Sequence, residues 1–229
     1  MIAFALAILA GLADIAGGLL PFYSKTANFS PRYILAFASG VVVAAAFFEL
    51  LPEANIEANW LYLGLGFFIL YLVEKGLELH TCGERECEAR GISWITAIGM
   101  ASDNIIDGIG IGVGYLINPV LGVIITLAVI AHEIPQGMTT TIIMRQSGFK
   151  FKHILAMLII AGAMYPLGAA IGSFIPQDFQ QKAIAFVAGV FIYVGAGALM
   201  SEAHKRFNIG VVACMILGGL IALGLKFLE

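Results

Sequence analysis

Two short stretches set side chains able to bind a metal ion inside apolar surroundings, "ASDNIIDGIG" at 101–110 and "AHEIPQGMT" at 131–139. Asp103 and Asp107 are four residues apart, as are His132 and Gln136. On a helix each pair projects from one face, and the adjacent Asn104 and Glu133 point about 100° further round. Carboxylates, an imidazole and amide oxygens suit a first-row divalent ion. The expected metal ligands are therefore Asp103, Asn104, Asp107, His132, Glu133 and Gln136. Asn104 and Gln136 are the weaker members, because amides often serve only as hydrogen-bond partners between helices.

The surroundings make these groups costly. Both stretches sit inside apolar runs of a 229-residue chain that is 60% hydrophobic and 12% charged, with a mean hydropathy of +0.96. A soluble domain carries about a quarter charged residues. Backbone groups in lipid must be satisfied within helices or a closed barrel, and no period-two alternation supports a barrel. The composition thus predicts an all-α, multi-pass membrane protein in contact with the lipid bilayer. Asp103, Asp107 and Glu133 at mid-span would disfavour insertion by about 8–10 kcal/mol if unpaired. No Lys or Arg lies within their two spans short of Arg145 at the very end of the second, so a divalent cation, or protons, must neutralise them. Asp14, a single acid in the first apolar segment, is read instead as a protonated packing residue. Pro135 removes a backbone donor and is expected to bend its helix and free a carbonyl near the cluster. The glycines of "GIGIGVG" (108–114) permit close helix packing.

A bilayer core needs about 20 apolar helical residues. Breaks at charge, Pro and Gly/Asn clusters give one polytopic domain, 1–229, with eight transmembrane helices at roughly 2–22, 33–52, 58–77, 93–116, 119–145, 152–174, 181–202 and 208–228. Residues 117–118 join spans four and five as antiparallel neighbours, with Asp103 and His132 equally far from the connection. That puts the metal site between helices four and five. Lys25, Arg32, Lys75, Arg85, Arg90, Arg145, Lys150, Lys152, Lys205 and Arg206 fall in the odd-numbered loops, against Lys182 and Lys226 elsewhere. The positive-inside bias makes those loops cytoplasmic and puts both termini outside. The N-terminal "MIAFALAILAGLADIAGG" lacks a basic start and a small-residue cleavage site, and reads as a retained first span. The cytoplasmic loop at about 78–92 carries His80, Cys82 and Cys87, a weak metal signal for which a solvated connector with reduced thiols is the favoured reading. With Cys214 these cysteines form no disulfide framework, and no basic run suggests nucleic acid.

At these residues the chain resembles the ZIP family of divalent metal transporters. The family's His-Asn-x-x-acid-Gly in span four is matched by Asp103-Asn104-Ile105-Ile106-Asp107-Gly108. Its His-Glu-x-Pro in span five is matched by His132-Glu133-Ile134-Pro135, followed by Gln136-Gly137. "FELLPEA" (48–54) is similar to the end of the family's second span, with Glu49 in a histidine's place. "YPLGA" (165–169) is similar to its span-six Glu-Pro-Leu-Gly, with Tyr165 where an acid is usual. These departures favour one site over two and harden the ligand set. The resemblance implies a divalent metal substrate, zinc first, with Fe2+, Mn2+, Co2+ and Cd2+ admitted by the oxygen-rich ligands. It further implies an elevator-like shift of the helices bearing the site, and often a homodimer.

Glu49, Glu53 and Glu57 lie at or beyond the outer end of span two, and there could focus cations at an entrance. Solvation is the other reading, equally good for Glu57. Glu49, Glu53 and Tyr165 are candidates for an entrance or second site. Glu202, His204 and His80 are candidates for an exit, although Lys205-Arg206 favours a plain interfacial anchor, and His153 also reads as interfacial. The leading function is transport of a divalent metal across the cell membrane into the cytoplasm. The alternative is an intramembrane metal-dependent hydrolase, since His132-Glu133 begins like H-E-x-x-H. Gln136 stands at that motif's second histidine, however, so no enzyme is expected.

Overall fold

The computed structural model describes residues 1–23, 32–82, 94–146, 148–205 and 207–226. It holds eight helical rods: α1 (Ile2–Tyr23), α2 (Arg32–Glu53), α3 (Ile56–Cys82), α4 (Trp94–Ile117), α5 (Pro119–Gln146), α6 (Phe151–Ser173), α7 (Gln177–Ala203) and α8 (Ile209–Lys226). No strand occurs among the described residues. Among the same residues six helices are long and apolar enough to cross a membrane, and α8 carries a shorter apolar stretch, Ile209–Gly224. The helix count matches the expectation. α3 runs on to Cys82, so the loop expected from 78 begins later. Its Cys87 lies outside the described residues, as do the side chains of His80 and Cys82.

The helix ends follow local chemistry. Asn118 Oδ1 accepts from Val120 N at 2.9 Å, turning the chain into α5, whose first residue is Pro119, where a missing N–H costs nothing. Asn55 takes a left-handed φ of 45° between α2 and α3, which asparagine tolerates. Two rods contain a π turn that the hydropathy pattern does not reveal. In α2, Ala46–Leu50 widens so that Leu51 N bonds to Ala46 O; Pro52, one residue on, crowds the carbonyl of Phe48 and favours the wider turn. In α7, Tyr193–Leu199 does the same, with Met200 N bonding to Gly195 O. The Ser39 hydroxyl donates to that carbonyl at 2.8 Å, tying the turn to α2.

The rods sort into two groups. α1 packs on α5 and α6, and α4 on α6 and α5; α2 packs on α8 and α7, and α3 on α7. Within the first group, backbones touch. A Cβ on Gly108 would lie 2.9 Å from Gly168 Cα, and one on Gly168 the same distance from Gly108 Cα. Small residues let membrane helices gain dispersion contacts at this range, where no hydrophobic effect drives them together. Across the groups α2 packs on α5, and at α7 side chains meet: the Phe191 ring stands edge-on to His132 at 6.1 Å, and Val187 covers Gly110.

Candidate metal centre

His132, on α5, is 1% exposed. Its Nδ1 lies 2.9 Å from the Ala128 carbonyl one turn back. A carbonyl can only accept, so Nδ1 carries a proton, and Nε2 either donates a second proton or offers its lone pair to an ion. Nε2 faces Asp107 Oδ2 at 3.2 Å and Glu133 Oε1 at 3.3 Å, both on buried carboxylates. Two buried carboxylates and an imidazole converge on one point, which calls for a positive charge there, either a second proton on the ring or a bound cation. One ligand atom from each of Asp107, His132 and Glu133 fits within a mutual 4.8 Å. Ligands about 2.0–2.2 Å from a tetrahedral zinc ion are separated by about 3.3–3.6 Å, so the spacing suits a shared ion after small adjustment.

The other expected ligands are distributed around this trio. Asp103 pairs with Gln136 through a side-chain hydrogen bond, and its Oδ1 has no partner among the described residues. The pairing differs from the expectation that set Asp103 opposite His132: Asp107 meets His132, and Asp103 meets Gln136. The rungs are offset by one turn, because α4 and α5 cross close to their connection, where a Cβ on Gly122 would lie 2.8 Å from Tyr115 Cα. Asn104 turns toward α6, its Nδ2 donating to Ala161 O at 3.1 Å. α5 continues as one helix through Pro135. Thr139 and Thr140 donate to the Pro135 and Gln136 carbonyls, each at 2.9 Å.

The expected entrance residues separate: Glu53 and Glu57 are exposed, whereas Glu49 is buried in the π turn and Tyr165 is fully buried on α6. The Tyr165 hydroxyl faces Glu133. Glu202 is exposed and paired with Lys205 at 2.7 Å. His204 Nδ1 lies 3.0 Å from Met200 O, and His153 is exposed. Asp14, read from sequence as a packing residue, reaches the centre. It is 4% exposed and lines a small cavity with Asn104, Glu133 and Gln136. Its neighbours Gly17 and Gly18 hinted at close packing of α1, but nothing in the sequence indicated α5 as the partner.

A cavity of about 770 Å³ leads away from the centre. Gln136, Thr139 and Thr140 form its inner end, and Glu74, Lys75, Glu202 and Lys205 line it near helix ends. All four of those residues border the odd-numbered loops.

The family model described as "ZIP Zinc transporter" matches residues 74–226. The chain is 26% identical over 147 residues to the zinc transporter ZIP10 of Danio rerio, covering 60% of this chain and 17% of that protein. It is 24% identical over 256 residues to the zinc transporter ZupT of Chlorobium chlorochromatii, covering 94% of each. It is 26% identical over 228 residues to an uncharacterized protein of Methanocaldococcus jannaschii, covering 95% of each. The chain thus spans about a fifth of the first animal relatives it matches and nearly the whole of these two microbial ones.

Proposed function

This chain belongs to the ZIP zinc transporter family, and from that premise we propose that it carries divalent metal ions, zinc foremost, across the cell membrane into the cytoplasm. The observation that carries the proposal is the convergence of His132 Nε2, Asp107 and Glu133 with no Lys or Arg among them in the described residues. Asp103 and Gln136 stand one turn along, next to the cavity, and would receive the ion as it leaves. Fe2+, Mn2+, Co2+ and Cd2+ are the competing substrates that an oxygen-rich set admits. Family members are transporters, not enzymes. The hydrolase alternative also lacks its second histidine, since Gln136 stands there.

In the proposed mechanism α1, α4, α5 and α6 move as one block against α2, α3, α7 and α8. Backbone contacts lock the first group internally, while the boundary meets through side chains such as Phe191. With the odd-numbered loops cytoplasmic, both termini outside and the site at mid-depth, the 770 Å³ cavity would be the inward path. The domain 1–229 would act as a unit, and as a homodimer. Reconstituted protein should take up zinc into vesicles, with Fe2+, Mn2+, Co2+ or Cd2+ competing. Vesicles that load no metal from any of the five would remove the proposal.

Two further outcomes follow. A single cysteine at Thr139, in a background lacking Cys82, Cys87 and Cys214, should react with a membrane-impermeant thiol reagent applied from the cytoplasmic side. Labelling only from outside would reverse the orientation. Zinc affinity should fall as pH drops from about 7 to about 5, because protons compete for the same imidazole and carboxylate lone pairs. A flat profile in equilibrium binding would contradict a site built from these groups.

A further inference from the structure

Tyr165, near the middle of α6, is the largest fully buried side chain among the described residues. Phenylalanine would fill the same space, so the hydroxyl needs its own reason: burying one without a partner costs free energy. Backbone contacts set where the residue stands. Asn104 of α4 donates to the Ala161 carbonyl at 3.1 Å, and a Cβ on Gly108 would collide with the Tyr165 carbonyl oxygen. α6 therefore lies against α4 at Gly108, the residue after Asp107.

Three carboxylates surround the phenol. Its hydroxyl faces Glu133 of α5, and Asp14 of α1 and Asp107 of α4 are also close enough to act on it. Asp14 arrives there because α1 closes on α5 at Gly137, where a Cβ would lie 2.6 Å from the Asp14 carbonyl oxygen. An ionised carboxylate only accepts hydrogen bonds, whereas a phenol can donate one. The proton of Tyr165 is thus directed at Glu133, and no second partner competes for the hydroxyl among the described residues.

We propose that Tyr165 is a positioning residue that sets metal selectivity: its hydroxyl donates to Glu133 and holds that carboxylate to one-oxygen ligation of the ion at the Asp107–His132 centre. The inference rests on the transporter reading, in which Glu133 is a ligand. One oxygen engaged by the phenol leaves the other for the metal. Ligation through a single oxygen suits the four-coordinate geometry of zinc. Mn2+ favours a six-coordinate, oxygen-rich shell and would gain from a carboxylate free to chelate through both oxygens. The hydroxyl therefore disfavours Mn2+ relative to zinc without touching either ion.

The test is equilibrium dialysis of the purified full chain against zinc and against Mn2+, with bound metal read by elemental analysis. Tyr165→Phe removes only the hydroxyl. It should shift the ratio of zinc to Mn2+ affinity by ~10-fold toward Mn2+, the lower end of the effect of losing a group that orients a metal ligand. A packing defect would weaken both ions together and leave the ratio in place. An unchanged ratio would overturn the proposal and leave the transporter reading standing. X-ray absorption by the zinc-loaded wild type decides without any variant: a four-coordinate ion is expected, and a shell expanded by chelating carboxylates would overturn the proposal. Wild type that binds neither metal would overturn the transporter reading as well.

Discussion

Replacing His132 with alanine is expected to lower zinc uptake into proteoliposomes by ~100-fold or more, since losing even a supporting residue of a metal site typically costs 10–100-fold. Nε2 is the only nitrogen in the trio, and its lone pair is aimed by a hydrogen bond within the same helix, from Nδ1 to Ala128 O. Between helices, removing the ring gives up the Nε2 contact to Asp107 Oδ2 of α4 at 3.2 Å and the edge-on packing against Phe191 of α7. Insertion and helix content should survive, and circular dichroism of the purified variant checks that they do. Asp107→Ala should have a similar effect on transport. It sits on α4, so its loss also removes the carboxylate that draws α4 and α5 together at this level. Flux at wild-type levels in both variants would mean that the ion takes another route.

The second large effect is expected at a position with no chemistry. Gly168→Leu should cost at least ~3 kcal/mol, the upper part of the range for overpacking a well-filled interior. A Cβ there would press on the Ile105 carbonyl and lie 2.9 Å from Gly108 Cα. Backbone cannot rotate aside as a side chain can. Relief requires α4 to move off α6, which carries Asp107, next to Gly108, away from His132. Size-exclusion profiles after mild heating should show loss of the folded peak for Gly168→Leu. Gly64→Leu is the control, since nothing lies within 4 Å of a Cβ at Gly64, and it should behave as the wild type. Equal stability of the two variants would contradict the α4–α6 contact.

The sequence disclosed the rods and the motif residues because both are local. Hydropathy marks where a helix is apolar for long enough, and i, i+4 spacing marks which side chains share a face. What remained hidden concerns how rods meet. Asp103 and His132 were expected opposite each other from residue counting, and the crossing of α4 over α5 near Gly122 moves the pairing by one turn. Asp14 looked like a lone packing acid because the contact that brings it to Glu133 depends on Gly137, 123 positions along the chain. The π turns at Ala46–Leu50 and Tyr193–Leu199 leave no periodic trace, since one extra residue per turn is absorbed in an already apolar run. Pro135 lies inside one unbroken helix. Its flanking residues belong to a block held on two sides by α1 and α4, which supplies packing that propensity alone does not consider.

The grouping of helices matters most for function. A site on α4 and α5 could release its ion by local side-chain motion, or by travelling with its helices. Backbone-to-backbone packing favours the second, because interlocked glycines resist sliding within the block, whereas the boundary at Phe191 and Val187 is a contact of apolar side chains. In the proposed block movement, the cavity reaching Gln136 and Thr140 would correspond to one end of the stroke.

The most direct measurement is an anomalous-difference map of the zinc-soaked protein collected at the zinc absorption edge. A peak should appear within about 2.0–2.2 Å of His132 Nε2 and of a carboxylate oxygen from Asp107 or Glu133. A map with zinc bound elsewhere on the chain, and no density among those three side chains, would contradict the account at its root.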